Sequence, residues 1–462
     1  MFSSLHLSML HIPSRTPKVF FLILAIFLSI SWLVLLIINP VIIAPDSYGY
    51  METAKHLSDP SSSRPILFPL LILITNTLHL KLSIVCYFIQ MASLVCFFWF
   101  CGPRKNLLSL ANLGILIVFL LMPATWSYFG ICLTESIIFA VEIWIVIFLS
   151  LLFFPARQNS LVSMVLYSLA IALLAITLKP WIMIYVVGCS VLFTVITLFI
   201  KAFRAVRKPA LVLFIVTIGA FAFSYRYNID HSSSSANIVY LLANSDRVDD
   251  LKARLHEAKD TTTEEARFIS LVIDDIQVLQ TKYNADPLTA PMEDQKVLKV
   301  NDKAYADTIN KAFKIAYFQR SKDVINLMNL SVSRYINDTQ LGLTCLDICY
   351  GPAFKILRKN GVYFALAFFG LTLIVWVIGK RRKGTPLFKR PVSIAGKQLL
   401  IFVVILLFTS FFFALFLSIS GGIELRRTVL PAVLFQLAAI SYLIINRHKL
   451  MAAKEDNKPN NA

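Results

Sequence analysis

A few side chains in this chain combine the type and the placement needed for proton transfer beside a bound phosphate. Asp46 stands just after a long apolar run, Phe20 to Ala44, and after Pro45. An aspartate at the bilayer centre costs roughly 2.5–3.5 kcal/mol, so Asp46 belongs at the membrane rim, wet or paired. A carboxylate there has the chemistry of a general base. Tyr48, Tyr50, Glu52, Lys55 and His56 follow at spacings that fit a short helix lying on the membrane surface. Glu135 opens a later apolar run behind Thr134. It is either a second carboxylate of the same site or a helix-start carboxylate satisfied by the helix dipole. Arg426 and Arg427 precede the last apolar run. They are either an anchor for a lipid phosphate, which a guanidinium fork binds bidentately, or a rim pair that snorkels or pairs with Glu424. Lys179, before Pro180, is a further candidate contact for phosphate.

The elements that must position these groups are membrane spans. The chain of 462 residues is 57% hydrophobic and only 15% charged, with a mean hydropathy of +0.71. A soluble protein of this size carries about 25% charged residues, so this is a polytopic membrane protein. The net charge of +18 is distributed in clusters between apolar runs. It reads as topology signals and contacts to anionic lipid, and no nucleic-acid partner is expected. The first apolar run is too long for a signal peptide, and Pro45 would block cleavage after Ala44, so a retained span is expected.

About ten transmembrane helices are expected. They are Phe20–Ala44, Leu82–Phe100, Leu107–Met122, Glu135 to about Phe154, Leu161–Leu178, Trp181–Ile200, Ala210–Tyr225, Tyr363–Gly379, Leu399–Ser418 and Leu430–Asn446. Pro65–His79 is apolar but short, hence interfacial or re-entrant. With the N-terminus in the cytoplasm, Arg104 and Lys105, Arg157, the Lys201–Lys208 cluster, the Lys380–Lys397 loop and the Arg447/Lys449 tail all fall inside. That bias matches the positive-inside rule at every turn and puts Asp46, Glu135, Lys179 and the arginine pair on the outer face.

The chain then divides into an N-terminal transmembrane module (1–227), an outer domain (228–360) and C-terminal spans with a basic tail (361–462). The outer segment is polar but has helical stripes, such as Phe268, Leu271, Val272, Ile276 and Leu279, so a small, mostly helical domain is expected. Cys345 and Cys349 lie in it; four apart on a regular helix they are too distant for an unstrained disulfide, so a bridge would require a turn, and both states stay open. The other cysteines lie in or beside apolar runs as packing residues. No P-loop, GxGxxG or GxSxG is present, so nucleotide-driven chemistry has no support.

The order DSYGYMETAKHL then SRPILFPLLI resembles the first outer loop of the GT-C superfamily of polytopic glycosyltransferases, with its acidic residue, tyrosine, small residue, Arg-Pro and Pro-Leu-Leu. LTESIIFAVEIWIVIFLSLLF is similar to that family's fourth-span region, LAITLKPWIMIYVVGCSVLF to its basic-residue-then-proline span, and ELRRTVLPAVLFQLAAISYLI to its closing span. The resemblance covers roughly the first half and the last span. It implies an all-α GT-C-like fold and an inverting transferase of the bacterial plasma membrane. The sugar would come from a polyprenyl-phosphate donor and pass to a lipid, glycan or protein acceptor at the outer face. Asp46 and Glu135 would be the catalytic carboxylates, with Tyr48, Tyr50, Arg64, Lys179, Arg426 and Arg427 binding substrate. No cofactor is implied. Many members carry adjacent carboxylates in the first loop, whereas Asp46 is followed by Ser47, which counts against a metal-dependent variant and leaves a divalent metal open. Two other classes stand beside this one: a lipid-linked glycan polymerase or ligase, and a non-enzymatic transporter or assembly protein. The first relies on Arg and His in a large outer loop, where the only histidines are His231 and His256, widely separated from the Arg426/Arg427 pair in sequence. The second needs intramembrane charges, of which Glu142 is the exception in nearly charge-free spans.

Overall fold

The computed structural model describes residues 16–43, 45–57, 64–102, 108–121, 130–154, 159–228, 248–257, 264–283, 394–420 and 425–446, with isolated positions between 314 and 329. Side chains are described for most of these, though not for Asp46, Arg426 or Arg427. The described residues are almost entirely helical, with no named strand among them. Among the described residues, seven helices are long and apolar enough to cross a membrane. This is a multi-pass membrane protein, as the composition requires. The span expected at Tyr363–Gly379, Cys345 and Cys349 lie outside the described residues.

The first helix, α1, runs from Thr16 to Ile38. It ends earlier than the apolar run does, because Pro40 disfavours helical backbone at Asn39. Beyond the helix, Ile42 pairs with the segment ahead of the span expected from Glu135. Its amide donates to the Gly130 carbonyl at 2.6 Å, and the Cys132 amide donates to the Ile42 carbonyl at 3.1 Å. The helices α2 (Pro45–Lys55) and α3 (Leu67–Thr77) follow, then α4 (Leu82–Cys101). Lys81 Nζ donates to the carbonyl of Ile37 at 2.9 Å and to that of Asn39, capping the C-terminal carbonyls of α1. The end of α1 and the start of α4 therefore share one end of the bundle. The chain between them returns to the same end, so α3 does not cross, as its length suggests. We call this end the rim.

The helix α5 (Leu110–Leu121) is about 18 Å long at 1.5 Å per residue. Near the rim, the Trp32 indole N–H of α1 donates to the Leu120 carbonyl at 2.8 Å. Next come α6 (Glu135–Phe153), α7 (Leu161–Leu178), α8 (Pro180–Phe199), a 3-10 turn (Lys201–Val206) and α9 (Arg207–Asn228). The helix α6 is the central post: 83% of its span is buried inside the protein, against 11% for α1, which faces outward along most of its length. Two polar helices of the segment between α9 and the C-terminal helices, α10 (Val248–Glu257) and α11 (Glu264–Tyr283), touch through Lys252 Nζ and Gln280 Oε1 at 3.0 Å. The stripe on α11 is Ile269, Val272, Ile273 and Ile276, all buried, while Leu271 is only half-buried.

Two C-terminal helices complete the bundle, α12 (Ile394–Ser420) and α13 (Leu425–Ile445). Asn446 Nδ2, at the end of α13, donates to the Cys101 carbonyl at the far end of α4 at 2.9 Å. The first turn of α13, with Arg426 and Arg427 in its backbone, therefore lies toward the rim. Interlocked rings fill the interior. Phe153 stacks on Phe193 with centroids 4.2 Å apart, and Tyr185 stacks on Phe435 at 3.9 Å. Such pairs are worth about 0.5–1.5 kcal/mol beyond the area they bury.

Candidate functional site

The rim is built by α2 lying across the head of α6. On its inner face α2 buries Ser47, Tyr50, Thr53 and Ala54, while Tyr48, Glu52 and Lys55 are exposed. This is the surface helix expected from the sequence, half-buried against protein instead of only against lipid. Asp46 lies in its first turn, four residues before Tyr50 and next to Ser47. Ser47 lies beside the Cys132 thiol, and burial pushes that thiol up to about 11. Cys132 is thus an un-ionised packing group under α2. The exposed Glu52 accepts from Lys55 Nζ at 3.0 Å, and that ammonium holds the carboxyl below the usual range.

Tyr50 joins α2 to α6. Its hydroxyl lies 3.4 Å from Thr134 Oγ1, and Thr134 Oγ1 donates to Glu135 Oε2 at 3.2 Å. Lys179 Nζ donates to Glu135 Oε1 at 2.5 Å. The lysine reaches it because Pro180 starts α8 and holds Lys179 in extended backbone between two helices. The Glu135 side chain is 0% exposed and that of Lys179 17%, so this ion pair is withdrawn from water.

Glu135 and Lys179, expected separately as a catalytic carboxylate and a phosphate contact, thus neutralise one another. Glu135 also sits in the first turn of α6, where a negative charge suits the helix dipole. Of the two readings open for Glu135, this geometry favours the satisfied helix-start carboxylate.

Arg64 lies over the Tyr50 ring, with its guanidinium carbon 4.9 Å from the centroid. That is cation–π distance, and Phe68 braces the ring edge-on at 5.4 Å. A Cβ on Gly49 would come 2.9 Å from Arg64 Nε. Glycine inside a short helix costs about 1 kcal/mol against alanine, a sequence signal of close approach that points to this residue. Gly49→Ala should therefore leave the fold intact, because only a flexible side chain has to move. It should displace Arg64 from Tyr50 and weaken binding of a phosphate-bearing lipid to the same degree as Arg64→Ala. Equilibrium binding of a fluorescent polyprenyl phosphate to the purified protein checks this; unchanged affinity in Gly49→Ala would mean that Arg64 is not held for a ligand.

The residues at this end thus come from widely separated stretches: 46–50, 64, 135, 179 and the first turn of α13. Tyr50, Arg64, Glu135 and Lys179 are joined by contact. Asp46, Arg426 and Arg427 are placed by backbone alone, and Tyr48 points outward at 67% exposure. Among the described residues no group of His, Cys, Asp and Glu converges as a metal site. No family model, curated protein or solved structure matches this chain significantly. The site therefore has to be judged on its own chemistry: a guanidinium held by a tyrosine of the helix whose first turn carries Asp46, and a neutralised ion pair joined to the same tyrosine through Thr134.

Proposed function

We propose that this protein is a glycosyltransferase of GT-C type, working at the membrane rim on a polyprenyl-phosphate-linked sugar. The observation that carries the reading is the docking of the Asp46-bearing helix α2 on the heads of α6 and α8 through Tyr50, Thr134, Glu135 and Lys179. The same end of the bundle carries Arg64 and the backbone of Arg426 and Arg427. A lipid-linked donor presents its phosphate at this depth, and an acceptor arrives from water on the same side.

In this reading Asp46 takes the proton of the acceptor hydroxyl as its oxygen attacks the anomeric carbon. The bond from that carbon to the donor phosphate breaks, and polyprenyl phosphate leaves as an anion. Attack opposite the leaving group inverts the anomeric centre. Guanidinium groups stabilise the developing phosphate charge electrostatically. That task belongs to Arg64 and to Arg426 and Arg427, since the ammonium of Lys179 is already committed to Glu135. The reaction requires no cofactor. The acceptor is a lipid, glycan or protein, and the membrane is the bacterial plasma membrane with the rim outward.

The test is a comparison of glycolipid and glycoprotein profiles, by mass spectrometry, in cells with and without the gene. The expected result is loss of one glycosylated species and accumulation of its polyprenyl-phosphate sugar. Identical profiles would overturn the reading. Sidedness is checked separately. Cysteine at Ser62 or Ser234 should react with an impermeant thiol reagent in intact cells or spheroplasts, and cysteine at Lys383 should not. The reverse pattern would put the rim in the cytoplasm and remove the site with it.

A further inference from the structure

Glu142 lies two turns below Glu135 on α6, about 10 Å deeper by helical rise. Seven residues apart, the two carboxylates fall on nearly one face of the helix. Glu142 is fully buried, and neither of its carboxylate oxygens has a hydrogen-bond partner. A buried polar group without partners is costly, and an ionisable one inside a membrane span marks a working position. A second observation points to the same place. Tyr185, on α8, is also buried; its hydroxyl makes no hydrogen bond of normal geometry and has the Cys189 thiol and the Thr409 hydroxyl among its polar neighbours. Its ring is fixed by Phe435 at 3.9 Å and Phe413 at 5.8 Å. Glu142 lies within electrostatic reach of both Tyr185 and Lys179.

Two carboxylates thus share one ammonium, which is bonded to the outer of the two. By charge count the cluster of Glu135, Lys179 and Glu142 is neutral when it holds one proton. A divalent cation does not suit it. Calcium needs about 6–8 oxygen ligands, and no third acidic or histidine group converges here among the described residues.

We propose that Glu142 is a proton-binding site inside the membrane, exchanging its proton with the rim end of the bundle past the Glu135–Lys179 pair. On loading, a proton from water at the rim forms an O–H bond on Glu142; on release it returns to that water. Lys179, the partly exposed member, is the gate between them. The groups that reach Glu142 are Lys179 at the α7–α8 junction and Tyr185 on α8. The other helices packed on α6 bring no charge to this depth: α4, α5 and α7 contain no Asp, Glu, Lys, Arg or His, and Lys397 of α12 lies in the first turn of that helix. Those of α13 are Arg426 and Arg427 in its first turn, and those of α9 are Arg207, Lys208 and Arg226 near its ends. This proposal is independent of the transferase reading.

The experiment uses the full chain reconstituted in liposomes in one orientation and a membrane-permeant carbodiimide. The reagent adds to a protonated carboxyl, and the adduct rearranges to a stable N-acylurea that mass spectrometry locates on the Glu142 peptide. The expected result is an adduct at Glu142 that forms at least ten-fold more slowly when the rim-side pH is raised, and at an unchanged rate when only the opposite pH is raised. Tyr185→Phe should keep the adduct and shift its pH midpoint. Absence of the adduct in folded wild-type protein, or a rate that ignores the rim-side pH or follows the opposite side, would overturn the proposal. The decisive measurements are made on the wild-type chain, so a variant that fails to fold does not affect them.

Discussion

Asp46→Asn should accumulate normally in the membrane, bind the polyprenyl-phosphate sugar and fail to transfer it. Asparagine keeps the size and hydrogen-bonding shape of aspartate but cannot accept the proton. Loss of a general base costs about 10²–10⁴ in rate. The stability cost is small by comparison. A carboxylate in the first turn of a helix contributes roughly 0.3–1 kcal/mol through the helix dipole, and a typical surface substitution stays within about ±0.5 kcal/mol. The contrast between a large rate effect and a small folding effect is what separates a base from a structural carboxylate. Asp46→Glu should keep partial activity if the site accommodates one more methylene. Glu52→Gln is the internal control: Glu52 lies on the same helix, is exposed, and is paired with Lys55 at 3.0 Å and His56 at 3.4 Å. Single-turnover transfer with labelled donor, alongside donor binding, measures both quantities. Near-normal transfer by Asp46→Asn with a folded but dead Glu135→Gln would move the base to α6. Activity in both would remove the transferase reading of this end of the protein.

The spans and the rim were legible in the sequence for different reasons. Long apolar runs admit one structure in a bilayer, because backbone polar groups must be satisfied within the segment. Leu82, Glu135 and Leu161 therefore start helices where the pattern places them. The surface helix was legible from Asp46 to Lys55 because its polar spacing cannot cross. The end of α1 was less so. Apolar character continues to Ala44, but the local effect of Pro40 stops the helix at Ile38 and frees Ile42 to pair with Gly130 and Cys132. No periodicity announces a contact between residues nearly ninety positions apart. The same limit applied to Glu135 and Lys179. Each was visible as a charge at the head of an apolar run, but their pairing depends on how α6, α7 and α8 pack. Gly49 and Glu142 carried weaker signals, a glycine inside a helix and a lone carboxylate inside a span. Their meaning comes from Arg64, Tyr185 and Lys179, which the fold brings near them.

Lys179→Met should be the most destabilising single change at the rim. It leaves the Glu135 carboxylate, 0% exposed, without its counter-charge. Breaking a buried ion pair from one side costs about 3–5 kcal/mol. Glu135→Gln should cost less, about 1–3 kcal/mol, because the stranded ammonium is 17% exposed and can turn toward water. The double variant Glu135→Gln with Lys179→Met should recover most of the loss, since replacing both partners removes the uncompensated charge along with the attraction. Denaturant or thermal unfolding of the four proteins in detergent gives the coupling energy directly. A charge swap, Glu135→Lys with Lys179→Glu, supplies the finer test. It restores the pair but places an ammonium in the first turn of α6, against the positive end of the helix dipole, so it should recover less than the neutral double variant. The cycle also bears on chemistry. If the neutral double variant folds and still transfers sugar, neither residue is a base or a phosphate contact, and the pair exists to lock Tyr50 and α2 over the head of α6. Additive losses in the double variant would mean that the two groups act independently and that the contact between them carries no stability.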